Sequence, residues 1–295
     1  MTPILLDGKA TAAAIRTELA SALAERMSAG VARTPHLVAV LVGASPASQL
    51  YVNAKAKACA EIGFRGTVLK RPDSISETEL LELIDQLNAD PGVDGMIVQL
   101  PLPKHIHEKK VTEAILPEKD VDGFHPVNLG RMVLGLPALL PATPAGVVDL
   151  LRRSGIATSG LHAVVIGRSH IVGSPLSILL ARNLPEGNCT VTLCHSRTRD
   201  LASHTRQADL LIAAAGQVGL IGPEHVREGA VVVDVGTHRV EDASKKAGYR
   251  VVGDVQFDAV APLCRAITPV PGGVGPMTIA QLLQNTWQAW DQRKL

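Results

Sequence analysis

Tyr51 and Lys55 lie four residues apart in the stretch SQLYVNAKAK at positions 48–57. On a helix that spacing puts an aromatic ring and an amine on one face, an arrangement that can hold a flat ligand beside a proton donor. A lysine exchanges protons usefully at neutral pH only when desolvation or a neighbouring cation disfavours its charged form. The apolar run around Lys55, YVNAKAKACAEIGF, predicts partial burial, and Lys57 points to nearly the opposite face. Two other segments carry groups able to converge on the amine. Gln99 ends the run DGMIVQ just before LPLP, where a neutral amide can bind a substrate oxygen or the amine itself without adding charge. In PEKDVDG at 117–123, Asp122 can accept two hydrogen bonds from an amidine- or guanidine-like edge, while Asp120 is expected in an acidic surface turn. No further His or acid has ligand spacing near this pair, so no metal site is expected.

A second constellation lies downstream. The run VVIGRSHIVGSP at 164–175 reads as a strand, a glycine-bearing turn and a helix start. Its spacing is G-x-x-x-x-x-G rather than G-x-G-x-x-G. Gly167 permits a tight turn, and Gly173 lets the helix approach the sheet or a pyrophosphate, with free N–H groups facing an anion. The next strand ends Cys194-His195-Ser196-Arg197-Thr198, without the acid that binds a ribose 2′-hydroxyl in NAD sites. Ser196, Arg197 and Arg168 suit a 2′-phosphate instead, so NADP is favoured over NAD. AAAG at 213–216 and DVGT at 234–237 follow two later strands and bring small residues to the same strand ends. The loop at 268–278, TPVPGGVGPMT, is stiffened by prolines. Gly272, Gly273 and Gly275 permit close backbone approach, and Thr278 falls near the start of the last helix.

These groups need a scaffold, and the hydrophobic pattern supplies one. Short β-branched runs predict strands over 36–43, 66–71, 94–100, 163–166, 190–194, 210–214, 231–235 and 250–253. Amphipathic stretches predict helices over 46–62, 77–88, 145–153, 174–183 and 277–293. Alternation of this kind, with nearly continuous apolar strands, predicts an α/β fold of parallel sheets covered on both faces. The proline-rich segment 135–146 marks a boundary. The expectation is an N-terminal α/β catalytic domain over 1–143, with the C-terminal helix 277–295 packing back on it. A Rossmann-like doubly wound parallel sheet follows over 144–276, and the two parts are expected to share one active site.

Composition narrows the function. The chain has 295 residues, enough for two domains, and 46% are apolar. Aromatic residues are only 2%, so the core must be aliphatic. Lys and Arg number 29 against 28 Asp and Glu, a balance that argues against nucleic-acid binding. The four cysteines show no C-x-x-C spacing and are expected as small buried hydrophobes in a reducing, cytoplasmic setting. No apolar run approaches the length of a membrane span, and the N-terminus lacks a secretory pattern. Residues 10–27 are Ala-rich, but Glu18 and Glu25 speak against a transit peptide.

Taken together, the motifs resemble the bifunctional methylenetetrahydrofolate dehydrogenase/methenyltetrahydrofolate cyclohydrolase family. The matching segments are YVNAKAK at 51–57, DGMIVQLPLP at 94–103, PEKDVDG at 117–123, GRSHIVGSP at 167–175, CHSRT at 194–198, DVGT at 234–237 and TPVPGGVGPMT at 268–278. They occur in family order over nearly the full length. The resemblance implies NADP-dependent oxidation of 5,10-methylenetetrahydrofolate and hydrolysis of the methenyl product to 10-formyltetrahydrofolate. It implies Lys55, Gln99 and Asp122 as the catalytic set, with Lys55 as general acid/base, Gln99 orienting it and Asp122 on the pterin's amino-pyrimidine edge. Tyr51 would stack along the folate, and Ser48, Pro271, Gly272 and Gly273 would complete the substrate contacts. The cofactor set becomes Gly167, Arg168, Ser169, Val172, Gly173, Cys194, Ser196, Arg197, Thr237 and Thr278. A cytoplasmic homodimer serving tetrahydrofolate interconversion and purine biosynthesis is also implied. The chain departs from the family's common P-C-T-P, reading PATP at 141–144, and inserts PEGN at 185–188; neither is expected to abolish activity. A short-chain dehydrogenase also uses Tyr-x-x-x-Lys, but places it after the glycine-rich turn rather than before. A shikimate-type dehydrogenase would share the two-domain plan without predicting Gln99 and Asp122 together. A non-enzymatic NADP sensor would leave Lys55 without a role, and some relatives perform only one of the two reactions.

Overall fold

The structure, a computed structural model, describes residues 2–245 and 248–292, so the last residues of the expected C-terminal helix lie outside the described part. In chain order its elements are β1 (Ile4–Leu5), α1 (Gly8–Ser28), β2 (His36–Val42), α2 (Pro46–Glu61), β3 (Arg65–Arg71), α3 (Glu77–Ala89), β4 (Gly95–Val98), α4 (Glu108–Ala114) and α5 (Pro126–Val133). They continue with α6 (Ala142–Arg153), β5 (His162–Ile166), α7 (Gly173–Ala181), β6 (Thr190–Cys194), α8 (Leu201–Thr205), β7 (Leu210–Ala213), β8 (Val231–Asp234) and β9 (His238–Glu241). The last are β10 (Tyr249–Val252), α9 (Phe257–Val260), β11 (Ala266–Ile267) and α10 (Val274–Asp291). The chain divides into two compact units: Ala14–Ala142 with Ile279–Leu295, and Met1–Ala13 with Thr143–Thr278. Among the described residues no helix is long and apolar enough to cross a membrane.

The first of these units is built on a parallel sheet of order β3-β2-β4. Every residue of β2 is buried, as a strand flanked on both edges and covered on both faces must be. Ser45 caps α2, Pro46 occupies its first turn, and Gly63 takes φ +82° just after its end. A reciprocal capping box between Ser76 and Glu79 starts α3, which buries Leu80, Leu83, Ile84 and Leu87 against Val38, Val40 and Met96. The chain runs from β2 out to β3 and then crosses back to β4. The sheet therefore reverses direction between β2 and β4, the place where open α/β sheets present ligand crevices at the carboxyl ends of their strands. Residues of α10 belonging to this unit supply Trp287, stacked on Phe64 at 6.2 Å between ring centroids, and Trp290 at 5.0 Å from Trp287.

The other unit holds a six-stranded parallel sheet of order β1-β11-β8-β7-β5-β6. Here β5 lies between β6 and β7, so the reversal falls between β5 and β7. Its core is aliphatic, with Val164, Leu211, Val232 and Ile267 fully buried. Two expectations change in this unit. The strand expected over 250–253 is not in the sheet: β10 pairs antiparallel with β9 as a separate ribbon, and the sheet position beside β8 is taken by β11. The N-terminal residues, expected with the catalytic part, instead join this unit, because β1 adds to the sheet edge through Ile4 opposite Ala266 and Leu5 opposite Ile267.

Candidate active site

Lys55 projects from the third turn of α2 and is 8% exposed. Its Nζ donates to Gln99 Oε1 at 3.3 Å and lies 4.0 Å from Asp122 Oδ1. Gln99 leaves β4 at the reversal point: its backbone N–H donates to the Val40 carbonyl of β2, and its Nε2 donates to the Leu100 carbonyl at 2.8 Å. That second bond turns the amide oxygen toward the amine, the only sense in which an ammonium can be satisfied. Tyr51 stands one turn earlier on α2, 49% exposed, with its ring free to face a ligand. Ser48 is buried in the first turn, where its N–H donates to the Ser45 hydroxyl.

The loop that carries Asp122 is braced from several sides. Lys119, 2% exposed, donates from Nζ to the carbonyls of Leu87, Asn88 and Asp90 and so satisfies the carboxyl end of α3. Asp120 is not a surface acid as expected but 2% exposed. Its Oδ2 accepts from the His125 N–H at 2.7 Å and from Asn128 Nδ2 at 3.1 Å, which ties the loop to the start of α5. Burial pushes the Asp120 carboxyl up, with a further push from the charge of Asp122, against the pull of those hydrogen bonds. Gly123 takes φ +75° and lies so close to the Leu140 carbonyl that any Cβ there would collide with it. Sequence reasoning missed Lys119 and Asp120 as supports. The signal was a lysine inside an acidic seven-residue segment, PEKDVDG, and a single sequence does not reveal what such a lysine reaches.

In the other unit the expected cofactor residues, Thr278 excepted, lie at or just beyond the carboxyl ends of β5, β6 and β8. Gly167 follows β5 with φ +111°, and a Cβ there would strike the carbonyl of Ala214, the residue after β7. A Cβ on Gly173 would in turn strike the Gly167 carbonyl, so the turn and the first residue of α7 close on each other. Ser169 Oγ accepts from the Val172 N–H, and Ser174 Oγ donates to the Arg168 carbonyl. Arg168, Ser169, Ser196, Arg197 and Thr237 are exposed, whereas Cys194 is 1% exposed and takes part through its backbone carbonyl, which accepts from the Gly167 N–H. Burial pushes the Cys194 thiol up, leaving it inert. No carboxylate stands at the end of β6. Arginines and a hydroxyl at neighbouring strand ends fit a 2′-phosphate.

Under the same face, Asp254 is fully buried and joins three segments. Its Oδ2 accepts from the N–H groups of Ala215 and Gly216, and its Oδ1 pairs with His238 Nε2 at 2.7 Å. The proline-rich loop is fixed by α1: the Lys9 N–H donates to the Gly272 carbonyl at 2.9 Å, and a Cβ on Gly8 would meet the Gly273 carbonyl. Pro271 at the tip is exposed, Gly272 has φ +112°, and Gly273 is buried. Thr278, one turn into α10, pairs its hydroxyl with that of Thr143 at 3.0 Å.

A doubly wound parallel sheet with a glycine turn at its reversal point, in one chain with a second α/β unit holding a buried amine beside an amide and a carboxylate, defines a dinucleotide-dependent α/β enzyme. The chain belongs to the tetrahydrofolate dehydrogenase/cyclohydrolase family. Residues 6–122 match its catalytic domain, and residues 141–294 match its NAD(P)-binding domain. It is 60% identical over 285 residues to the bifunctional protein FolD of Cytophaga hutchinsonii, covering 97% of this chain and 98% of that protein. The solved bifunctional enzyme FolD (methylenetetrahydrofolate dehydrogenase/cyclohydrolase) of Campylobacter jejuni is 48% identical with a TM-score of 0.91, covering 98% of this chain and 99% of that one. The methylenetetrahydrofolate dehydrogenase-cyclohydrolase of Trypanosoma brucei, solved with NADP cofactor and inhibitor, is 40% identical with a TM-score of 0.92 over 98% of both chains.

Proposed function

We infer that this chain is a bifunctional one-carbon folate enzyme. It oxidises 5,10-methylenetetrahydrofolate in an NADP-dependent step and hydrolyses the resulting 5,10-methenyltetrahydrofolate to 10-formyltetrahydrofolate. The observation that carries this reading is the buried Lys55 amine held by Gln99 and beside Asp122. When bound, NADP⁺ supplies the hydride acceptor. Arg168, Ser196 and Arg197 hold its 2′-phosphate, and the Gly167 turn with the start of α7 holds its pyrophosphate. The remaining named positions at the strand ends and in the Pro271–Gly273 backbone line the ligands.

Loss of hydride from the aminal carbon leaves an amidinium stabilised by both nitrogens, so oxidation asks the protein for orientation rather than for a base. Tyr51 provides the stacking surface, with Ser48 beside it on α2, and Asp122 pairs with the amino-pyrimidine edge of the pterin. Hydrolysis has a different requirement. Water adding to the methenyl carbon must lose a proton, and the ring nitrogen must gain one as its bond to that carbon breaks. Lys55 serves both transfers, with Gln99 fixing the direction of the amine. The family resemblance also supports a cytoplasmic homodimer whose formyl product enters purine biosynthesis.

Lys55→Met removes the proton carrier and keeps the length of the side chain. Methenyltetrahydrofolate hydrolysis should fall at least about 100-fold, the usual scale of a positioned acid/base, while NADPH binding measured by fluorescence stays unchanged. Hydrolysis at the parent rate would sink the assignment.

A further inference from the structure

Asn285 is 1% exposed, on a stretch of α10 whose neighbours Leu282, Leu283, Thr286 and Trp290 are equally buried. A primary amide at such a position is unfavourable unless its hydrogen bonds are made. They are made, and to one place. Its Nδ2 donates to the Val121 carbonyl at 2.8 Å and to the Leu140 carbonyl at 2.8 Å. Its Oδ1 accepts from Gln281 Nε2, one turn earlier, at 3.0 Å, which fixes the sense of the amide. Val121 is the residue before Asp122, and the Ala142 N–H donates to the Asp122 carbonyl at 3.1 Å. The segments 121–123 and 140–142 thus lie side by side, pressed together at Gly123, with Asn285 bridging two carbonyls that would otherwise face each other without a donor.

We propose that Asn285 is a positioning residue for the folate site: by clamping the Val121 and Leu140 carbonyls it sets the backbone from which Asp122 projects toward Lys55. The inference rests on the reading of Asp122 as a folate contact. Lys119 and Asp120 anchor the same loop through other groups, but among the described residues only Asn285 holds the peptide link next to Asp122 through a side chain from the far end of the sequence. The C-terminal helix is therefore part of the folate-binding apparatus.

The test is a double-mutant cycle with Asn285→Ala and Asp122→Ala, reading the KM for 5,10-methylenetetrahydrofolate, kcat and the Kd for NADPH. Each single variant should raise the folate KM about tenfold, the scale of one lost buried hydrogen bond, with the NADPH Kd unchanged. The double variant should be no worse than Asp122→Ala alone, because both changes act through one group. Additive effects, or an unchanged KM with only a lower melting temperature, would overturn the proposal. If Asp122→Ala itself leaves the KM unchanged, the reading of Asp122 fails first and the proposal falls with it. If Asn285→Ala does not fold, Gln281→Leu, which frees the amide without emptying the position, must raise the KM in the same non-additive way; its failure to do so also overturns the proposal.

Discussion

Asp234 shows how far one buried carboxyl can be drawn in two directions. Its oxygens accept from the N–H groups of Gly236, Asp254 and Val255, all of which favour the charged form. Burial opposes them more strongly, with help from the neighbouring charge of Asp254, and lifts the group from 3.8 to about 6. The sign of the consequence follows from linkage. Between these values the native state binds the proton that the unfolded chain has released, so this carboxyl's contribution to stability is fullest at low pH and falls as pH rises through the window. Relative to Asp234→Asn, the parent's unfolding free energy should fall by about 2 kcal/mol between about pH 4 and about pH 6.5, measured by urea denaturation. A flat difference between the two proteins would mean that the three N–H groups outweigh burial.

At the scale of elements, the turn from β5 into α7 brings the chain very close to itself. Gly167 needs both a positive φ and the absence of a side chain, since the Ala214 carbonyl occupies the place of any Cβ. Gly167→Ala should therefore move the turn away from the end of β7. The expected outcome is NADPH affinity weakened at least about tenfold in a fluorescence titration, for a backbone strain of about 1–3 kcal/mol. Hydrolysis of methenyltetrahydrofolate, which depends on α2 and β4, should be retained. Loss of hydrolysis with intact NADPH affinity would contradict this division of roles.

At the scale of the whole molecule, cofactor choice is the property to measure. The strand end at β6 offers Ser196 and Arg197 and no acid, so the native state should gain more from NADP⁺ than from NAD⁺. In a thermal melt, NADP⁺ at 100 times its Kd adds about 2.7 kcal/mol to the native state, and equal concentrations of NAD⁺ should add clearly less. Equal shifts would remove the role given to the two arginines.

The hydrophobic pattern alone yields the α/β class, because fully buried strands such as β2 must be written as unbroken apolar runs. Residue type and spacing likewise place an amine one turn from a ring on α2, and an acid-free strand end after the glycine turn. What the sequence leaves open is whatever depends on partners far along the chain. The two-residue strands β1 and β11 have no periodicity to read: β11 is a strand because it lies between β8 and β1, and β1 because it completes the free edge of β11. The segment over 250–253 has strand chemistry, but its partner and direction came from β9. The burial of Asp120, the three carbonyls under Lys119 and the clamp made by Asn285 are equally invisible locally. A polar side chain announces that it needs hydrogen bonds, and only the folded chain decides which distant groups supply them.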